Sequence, residues 1–178
     1  IHTFCTAVPG CWHVMGVTQG AGLSLKWFRD NFCGAEKETA AQLGCDPYVL
    51  MDKEADAVPI GSRRLLYLPY LMGERTPHLD PNARGVFFGL SALHTRADLL
   101  RAVMEGVTFS LRDCLEIFRE LRIPVSGMMA CGGGGSSPLW RQMLADVYGC
   151  PVKTVVSKEG PALGAAILAG VGAGIYPS

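Results

Sequence analysis

The sequence predicts an α/β layer fold, and three observations carry that prediction. In its second half, apolar strand patterns alternate with helical ones, strand, helix, strand, helix, strand, helix, the order that builds layered α/β domains. Between Asp98 and Leu121, apolar residues recur at 100, 104, 107, 111, 115 and 118, the spacing of one helix face. Hydrophobic residues make up 49% of the 178 residues and charged ones only 18%, a composition that supplies a core and argues against disorder. That length suits one domain, burying roughly 70% of the surface of its unfolded chain.

The elements follow in order. His2 to Val8 and Trp12 to Thr18 read as two strands joined by a Pro9-Gly10 turn. The second ends at Gly20-Ala21-Gly22 and leads into a helical pattern through Leu25, Trp27 and Phe28 to about Phe32. Lys37 to Leu43 reads as a second helix of weaker periodicity, and Cys45 to Ser62 as mixed helix and loop. Arg64 to Leu71 reads as a buried strand, Gly73 to Arg84 as a polar loop with two prolines, and Gly85 to Leu90 as the next strand. The long helix opens on Thr95 and Asp98, a cap pair, and Pro124 lies just past its end. At about 1.5 Å per residue it spans roughly 35 Å. Val125 to Ala130 is a short strand running into four consecutive glycines, Gly132 to Gly135. Ser137 then stands at an N-cap and Pro138 at the first helical position, with Leu139, Met143, Val147, Trp140, Leu144 and Tyr148 as the buried face. Val152 to Val156 is the last strand, and Pro161 opens an Ala/Gly-rich helix that reads as buried and closely packed.

Several classes are disfavoured at once. Sixteen Lys+Arg balance sixteen Asp+Glu, so neither nucleic acid nor an anionic membrane is an expected partner. The apolar stretch from Pro161 to Tyr176 is shorter than the ~20 residues of a membrane span. Seven cysteines without a C-x-x-C pair, and no signal-peptide pattern, point to reduced thiols in a cytoplasmic protein. His2, Cys5, Cys11 and His13 fall within twelve residues, yet their spacing matches no zinc module and reads as two adjacent strands. The chain begins at Ile1, inside a strand pattern, which suggests a piece of something longer.

The sharpest chemical feature is strand, four glycines, Ser-Ser-Pro, helix, over residues 125–148. Main chain without Cβ lets a ligand come close, and a helix start presents free N–H groups and partial positive charge. A nucleotide suits that corner. No Lys-Ser/Thr pair follows the glycines, and G-x-G-x-x-G is absent. The alternative is a turn that needs positive φ at one or two positions. Gly20 to Gly22 marks a second such corner, where a packing glycine at a helix start is the simpler reading. No Ser-His-Asp arrangement, paired carboxylates or G-x-S-x-G stands out, so hydrolase templates gain no support. Glu74 and Arg75 read as substrate contacts or as a loop-fixing ion pair, and Glu105 and Asp146 as exposed or capping groups.

These residues also carry a resemblance. Gly85-Val-Phe-Phe-Gly-Leu90, seven residues, then Asp98-Leu-Leu-Arg-Ala-Val-Met-Glu105 resembles the second signature of the FGGY carbohydrate kinases. Gly132-Gly-Gly-Gly-Ser-Ser-Pro-Leu-Trp-Arg-Gln-Met-Leu-Ala-Asp146 resembles that family's adenosine-binding segment, and Glu159-Gly-Pro-Ala-Leu-Gly-Ala-Ala166 its closing helix. Within the family, Leu68 to His78 and the segment through Trp27-Phe-Arg-Asp30 most resemble the xylulose kinases. The resemblance runs from about residue 2 to 176.

It implies an actin-like ATPase, ribonuclease-H-like domain, a mixed sheet flanked by helices, the second of two domains in a sugar kinase. Residues 1–178 would be the ATP-binding C-terminal domain. Its partners would be ATP, a sugar and the N-terminal domain, and a homodimer is compatible with it. The D-x-G-T phosphate loop and the base aspartate would lie outside this chain, so no catalytic residue and no metal ligand is assigned within it. Gly22, Gly132, Gly133, Gly134 and Ser137 would contact the nucleotide. Mg²⁺ would be held by ATP oxygens, water and carboxylates of the other domain. The reaction implied is transfer of the γ-phosphoryl group to the 5-hydroxyl of D-xylulose, with gluconate, glycerol or ribulose as other substrates and a non-catalytic nucleotide switch as the rival class.

Overall fold

A computed structural model describes residues 1–155 and 160–177. Its centre is the long amphipathic helix, here α4 (Arg96–Glu120), which packs against α1 (Ala21–Phe32), α3 (Pro47–Asp56), β3 (Leu66–Leu68) and α6 (Pro138–Tyr148). From Arg101 to Thr108 every residue of α4 is buried, because helices and a strand cover it on several sides. Leu100, Val103, Met104 and Val107 meet Phe28, Met51, Leu65, Tyr67, Trp140 and Met143 in one core. Each fully buried side chain of this size contributes about 1.5–3 kcal/mol, so α4 organises the domain.

The expected boundaries contract or shift in informative ways. The first hairpin pairs β1 (His2–Cys5) with β2 (Trp12–Met15), antiparallel, Phe4 opposite His13. α2 (Gly34–Leu43) starts earlier than its periodicity suggested and ends at Gly44 in the left-handed region, φ 64. The segment read as mixed helix and loop contains all of α3. Its start was legible: Asp46 accepts from the Tyr48 N–H at 3.0 Å and Pro47 follows at the first helical position. β3 buries only Tyr67, at 3% exposure, while Leu66 and Leu68 face outward; the buried strand expected over 64–71 is therefore one-sided and shorter. It pairs antiparallel with β4 (Val86–Phe88).

β5 (Met128–Ala130) and β6 (Val152–Thr154) pair in parallel, as strands joined through a helix should. The pairings are thus mixed, and among the described residues each pair forms a separate two-stranded sheet. Residue 156, the expected end of β6, lies outside the described residues. α7 (Pro161–Gly172) forms where expected but is not the buried helix that its composition suggested. Leu163, Ile167 and Leu168 are exposed, and only Gly170 is buried, beneath the Tyr176 ring. Its sequence is apolar all round, the pattern of a helix covered on every side, whereas among the described residues little packs on it. Among the described residues no helix is long and apolar enough to cross a membrane.

One glycine fixes how closely the layers approach. A Cβ on Gly106 of α4 would lie 2.1 Å from the Tyr67 carbonyl oxygen, so β3 lies directly on the helix backbone there. That contact holds α4 at a fixed height under the corner where α1 begins.

Candidate functional site

The four glycines form a single helical turn, α5 (Gly132–Ser136), between β5 and α6. Gly costs about 1 kcal/mol per position against Ala in a helix, so propensity does not explain them. Space does, and it divides the run. Gly132 has φ +73, a conformation that β-carbon-bearing residues rarely adopt. A Cβ on Gly135 would lie 2.8 Å from the Ala130 carbonyl, and one on Gly134 would rest on the Trp140 ring at 3.4 Å. Above Gly133 nothing lies within 4 Å. The turn needs Gly132, packing needs Gly135, and Gly133 leaves open room.

The other glycine corner divides the same way. A Cβ on Gly20 would lie 1.7 Å from the Pro69 carbonyl oxygen, so that residue is a packing glycine, whereas Gly22 has nothing within 4 Å. Gly22 and Gly133 face one recess. Gly22 and Leu25 of α1, Tyr48 and Asp52 of α3, Gly133, Gly134, Ser137 and Trp140 line it, enclosing about 180 Å³. It is continuous through Tyr48, Asp52, Gly133 and Ser137 with a wider groove of about 840 Å³ between α3 and α6. The glycine turn also borders an apolar groove of about 440 Å³, walled by α1, α4, α6 and β5, which shares Gly22, Gly133, Gly134 and Trp140 with the recess. Of the expected site residues, Gly22, Gly133, Gly134 and Ser137 therefore meet in the recess. Gly132 shapes the turn from outside the lining.

Fixed neighbours hold the walls. Ser137 caps α6, its Oγ accepting from the Trp140 N–H at 3.0 Å. The Trp140 indole Nε1–H donates to Thr108 Oγ1 at 2.9 Å, and Thr108 donates to the Met104 carbonyl at 2.8 Å, which locks the ring to α4. The Arg29 guanidinium carbon sits 5.0 Å from the centre of the Tyr48 ring. Burial pushes the Tyr48 hydroxyl above its ordinary pKa against the pull of Arg29. Burial also pushes the half-buried Asp52 carboxyl up, with the Ser137 hydroxyl acting in opposition and Asp56 adding like charge. The sequence reading missed Tyr48 and Asp52. They sit one helical turn apart on α3, and recognising the Asp46-Pro47 helix start would have placed both on one face.

Other candidates resolve as structure. Glu74, 3% exposed, accepts from the Gln19 N–H at 2.9 Å, the Thr18 hydroxyl at 2.9 Å and the Arg75 N–H at 2.7 Å. It fixes the proline loop to the β2–α1 corner through main-chain and hydroxyl donors, not through the Arg75 guanidinium. Asp146 is exposed and accepts from Gln142 at 2.7 Å. Glu105 is not exposed: it is buried, accepting from Arg101 Nε at 2.8 Å, the Gly61 N–H at 3.0 Å and the Ser62 hydroxyl at 2.9 Å. In the first hairpin, His2 and His13 flank the Phe4 ring, at centroid distances of 6.1 and 5.4 Å, an arrangement of adjacent strands. Among the described residues no three His, Cys, Asp or Glu side chains gather into a metal-holding group. Glu159 lies outside the described residues.

The geometry can now be set beside known proteins. The model for "FGGY family of carbohydrate kinases, C-terminal domain" matches residues 1–173. The chain is 42% identical to the xylulose kinase of Bacillus subtilis (strain 168), over 100% of this chain and 34% of that protein. It is 41% identical to the gluconokinase of the same organism, over 93% of this chain and 33% of that protein. The crystal structure of xylulose kinase from Rhodospirillum rubrum superposes with a TM-score of 0.78 at 31% identity, covering 97% of this chain and 33% of that one. The chain thus spans about a third of the length of the curated relatives that it matches.

Proposed function

Because the chain belongs to the FGGY family of carbohydrate kinases, as its C-terminal domain, we propose that it is the ATP-binding half of a sugar kinase. The sugar we assign is D-xylulose, phosphorylated on its 5-hydroxyl, with an N-terminal domain as the intramolecular partner that supplies the sugar contacts and the base. The observation that carries the reading is the open main chain at Gly133, facing Gly22 across a recess walled by Leu25, Tyr48 and Trp140. Flat apolar walls with a few polar groups suit a purine nucleoside.

The chain's own residues then have defined tasks. Gly133 and Gly134 give the base and ribose a surface without side-chain bulk. Trp140, held by Thr108, keeps the recess rigid. Ser137 places its hydroxyl at the mouth, where it also caps α6. Glu74 keeps the Gly20–Gly22 corner in register. Phosphoryl transfer is chiefly positioning and charge stabilisation, and closure of a two-domain cleft would exclude water from it. Mg²⁺ supplies charge neutralisation on the transferred group; its ligands belong to ATP and to the other domain.

The near-equal identity to a gluconokinase favours one second reading, a sugar acid as acceptor. A coupled ADP-release assay on the two-domain protein separates them. D-xylulose should give the highest kcat/KM in a panel with gluconate, glycerol and ribulose; a gluconate optimum would move the assignment to the second reading. Residues 1–178 alone should bind ATP without phosphorylating any sugar, and robust turnover by them would refute the division of labour.

A further inference from the structure

Resting on that reading of the recess, we infer that Asp52 is the specificity-determining residue for the base, accepting a hydrogen bond from the 6-amino group of adenine and disfavouring purines with a 6-oxo group. Asp52 projects from the middle of α3 into the narrow recess opposite Gly133 and Gly134. Among the described residues it is the only carboxylate in that lining, where Leu25, Tyr48 and Trp140 present largely apolar surface. Among the described residues, the groups acting on it are the Ser137 hydroxyl and the like charge of Asp56 on the next turn, with no Arg or Lys. Lys53 and Asp46 line the wider groove outside.

A half-buried carboxylate without a cation is acceptor-only and incompletely satisfied. The ligand it selects must bring a donor. Adenine offers its exocyclic amine, whereas hypoxanthine and guanine place an acceptor oxygen at the same position. In the seat that adenine takes, facing acceptors leave both groups desolvated and unpaired, and the neighbouring N1–H of a 6-oxopurine meets the carboxylate only if the ring shifts, a penalty that corresponds to roughly 10- to 100-fold in affinity. The ribose hydroxyls are the other donors of a nucleoside, but the apolar walls at this depth suit a ring, and the ribose belongs toward the wider groove.

The test uses the two-domain protein and three nucleotides, ATP, ITP and 2′-deoxy-ATP, with Kd by calorimetry and KM and kcat by ADP release. The unsubstituted protein should prefer ATP to ITP by roughly 10- to 100-fold. In Asp52→Asn, whose amide can either accept or donate, that ratio should fall to a few-fold at most, through KM and Kd. The ratio of ATP to 2′-deoxy-ATP should not move. An unaltered ATP:ITP ratio in a variant that still binds ATP overturns the inference and leaves the proposed function standing, as does a collapse confined to 2′-deoxy-ATP. Failure of the unsubstituted two-domain protein to bind ATP at all overturns both.

Discussion

Replacing Gly133 with Val separates a binding surface from a structural turn. The residue lies outside the positive-φ region and a new Cβ would meet no atom within 4 Å, so the fold has room for the side chain. The recess does not: its volume is about 180 Å³, and a branched side chain rising from its floor competes with whatever occupies it. Forcing a ligand against such bulk costs about 1–3 kcal/mol, as overpacking does, or roughly 5- to 150-fold in Kd at 1.4 kcal/mol per tenfold. Calorimetric titration of the two-domain protein with ATP should show that loss, while thermal unfolding stays within about 2 °C of the parent, as expected for a change within ±0.5 kcal/mol. Unchanged ATP affinity with the fold intact would place the nucleoside elsewhere and refute the site.

Gly135→Ala should do the reverse, because its Cβ would lie 2.8 Å from the Ala130 carbonyl: a loss of about 1–3 kcal/mol visible in thermal unfolding, with any effect on ATP affinity secondary to it. Asp98→Asn should cost about 0.5–2 kcal/mol at pH 7, read by urea unfolding. Burial opposes the Asp98 charge, but hydrogen bonds from the Thr95 hydroxyl and N–H outweigh it, with Arg63 assisting, and hold the pKa below its ordinary 3.8. The unfolded chain therefore takes up the proton first, and the difference should vanish as pH falls through the lowered folded value. Burial raises the Asp52 pKa, so the folded state takes up that proton first and stability falls as pH rises from the ordinary value through the raised one; Asp52→Asn should raise Tm at pH 7. Glu105→Gln should leave Arg101 buried without its charge partner, costing about 3–5 kcal/mol, or roughly 6–20 °C in Tm for a chain of this size, with KM for ATP unaltered in the folded fraction.

What the sequence made legible follows from which forces act locally. α4 and α6 were readable because an amphipathic face, a Thr95/Asp98 cap and a Ser137-Pro138 start are written into adjacent residues. The glycine corner was readable because four glycines exceed what a turn needs. Which glycine does what was not, since Gly20 and Gly135 are defined by the carbonyls of Pro69 and Ala130, and only the folded chain brings Pro69 to Gly20. Asp52 and Tyr48 were hidden for a related reason: they matter by facing Gly133 across the recess, a relation between segments some eighty residues apart. The short strands were overextended because apolar composition marks where a strand can form, whereas its length is set by the partner available, three residues in β3 and β5.

The residues of the signature over 85–105 are not the residues that line the recess. Asp98 caps α4, and Arg101 and Glu105, one turn apart, tie it to the Gly61–Ser62 turn and to the Ala55 carbonyl. Gly89, at φ +90, lies where a Cβ would stand 2.9 Å from the Arg64 carbonyl oxygen. Asp98, Arg101 and Glu105 thus hold α4 against the 61–64 turn and α3, and Gly89 lets the chain after β4 lie against that same turn. Because Trp140 is bound to Thr108 on that same helix, any slip of α4 would carry the wall of the recess with it. A buried ion pair is a costly way to gain stability, but a polar network fixes register where apolar packing permits sliding. On this account the signature acts on the recess at one remove, by fixing the height of the helix from which it is built. Its variants should change how much protein is folded before they change what the folded protein binds.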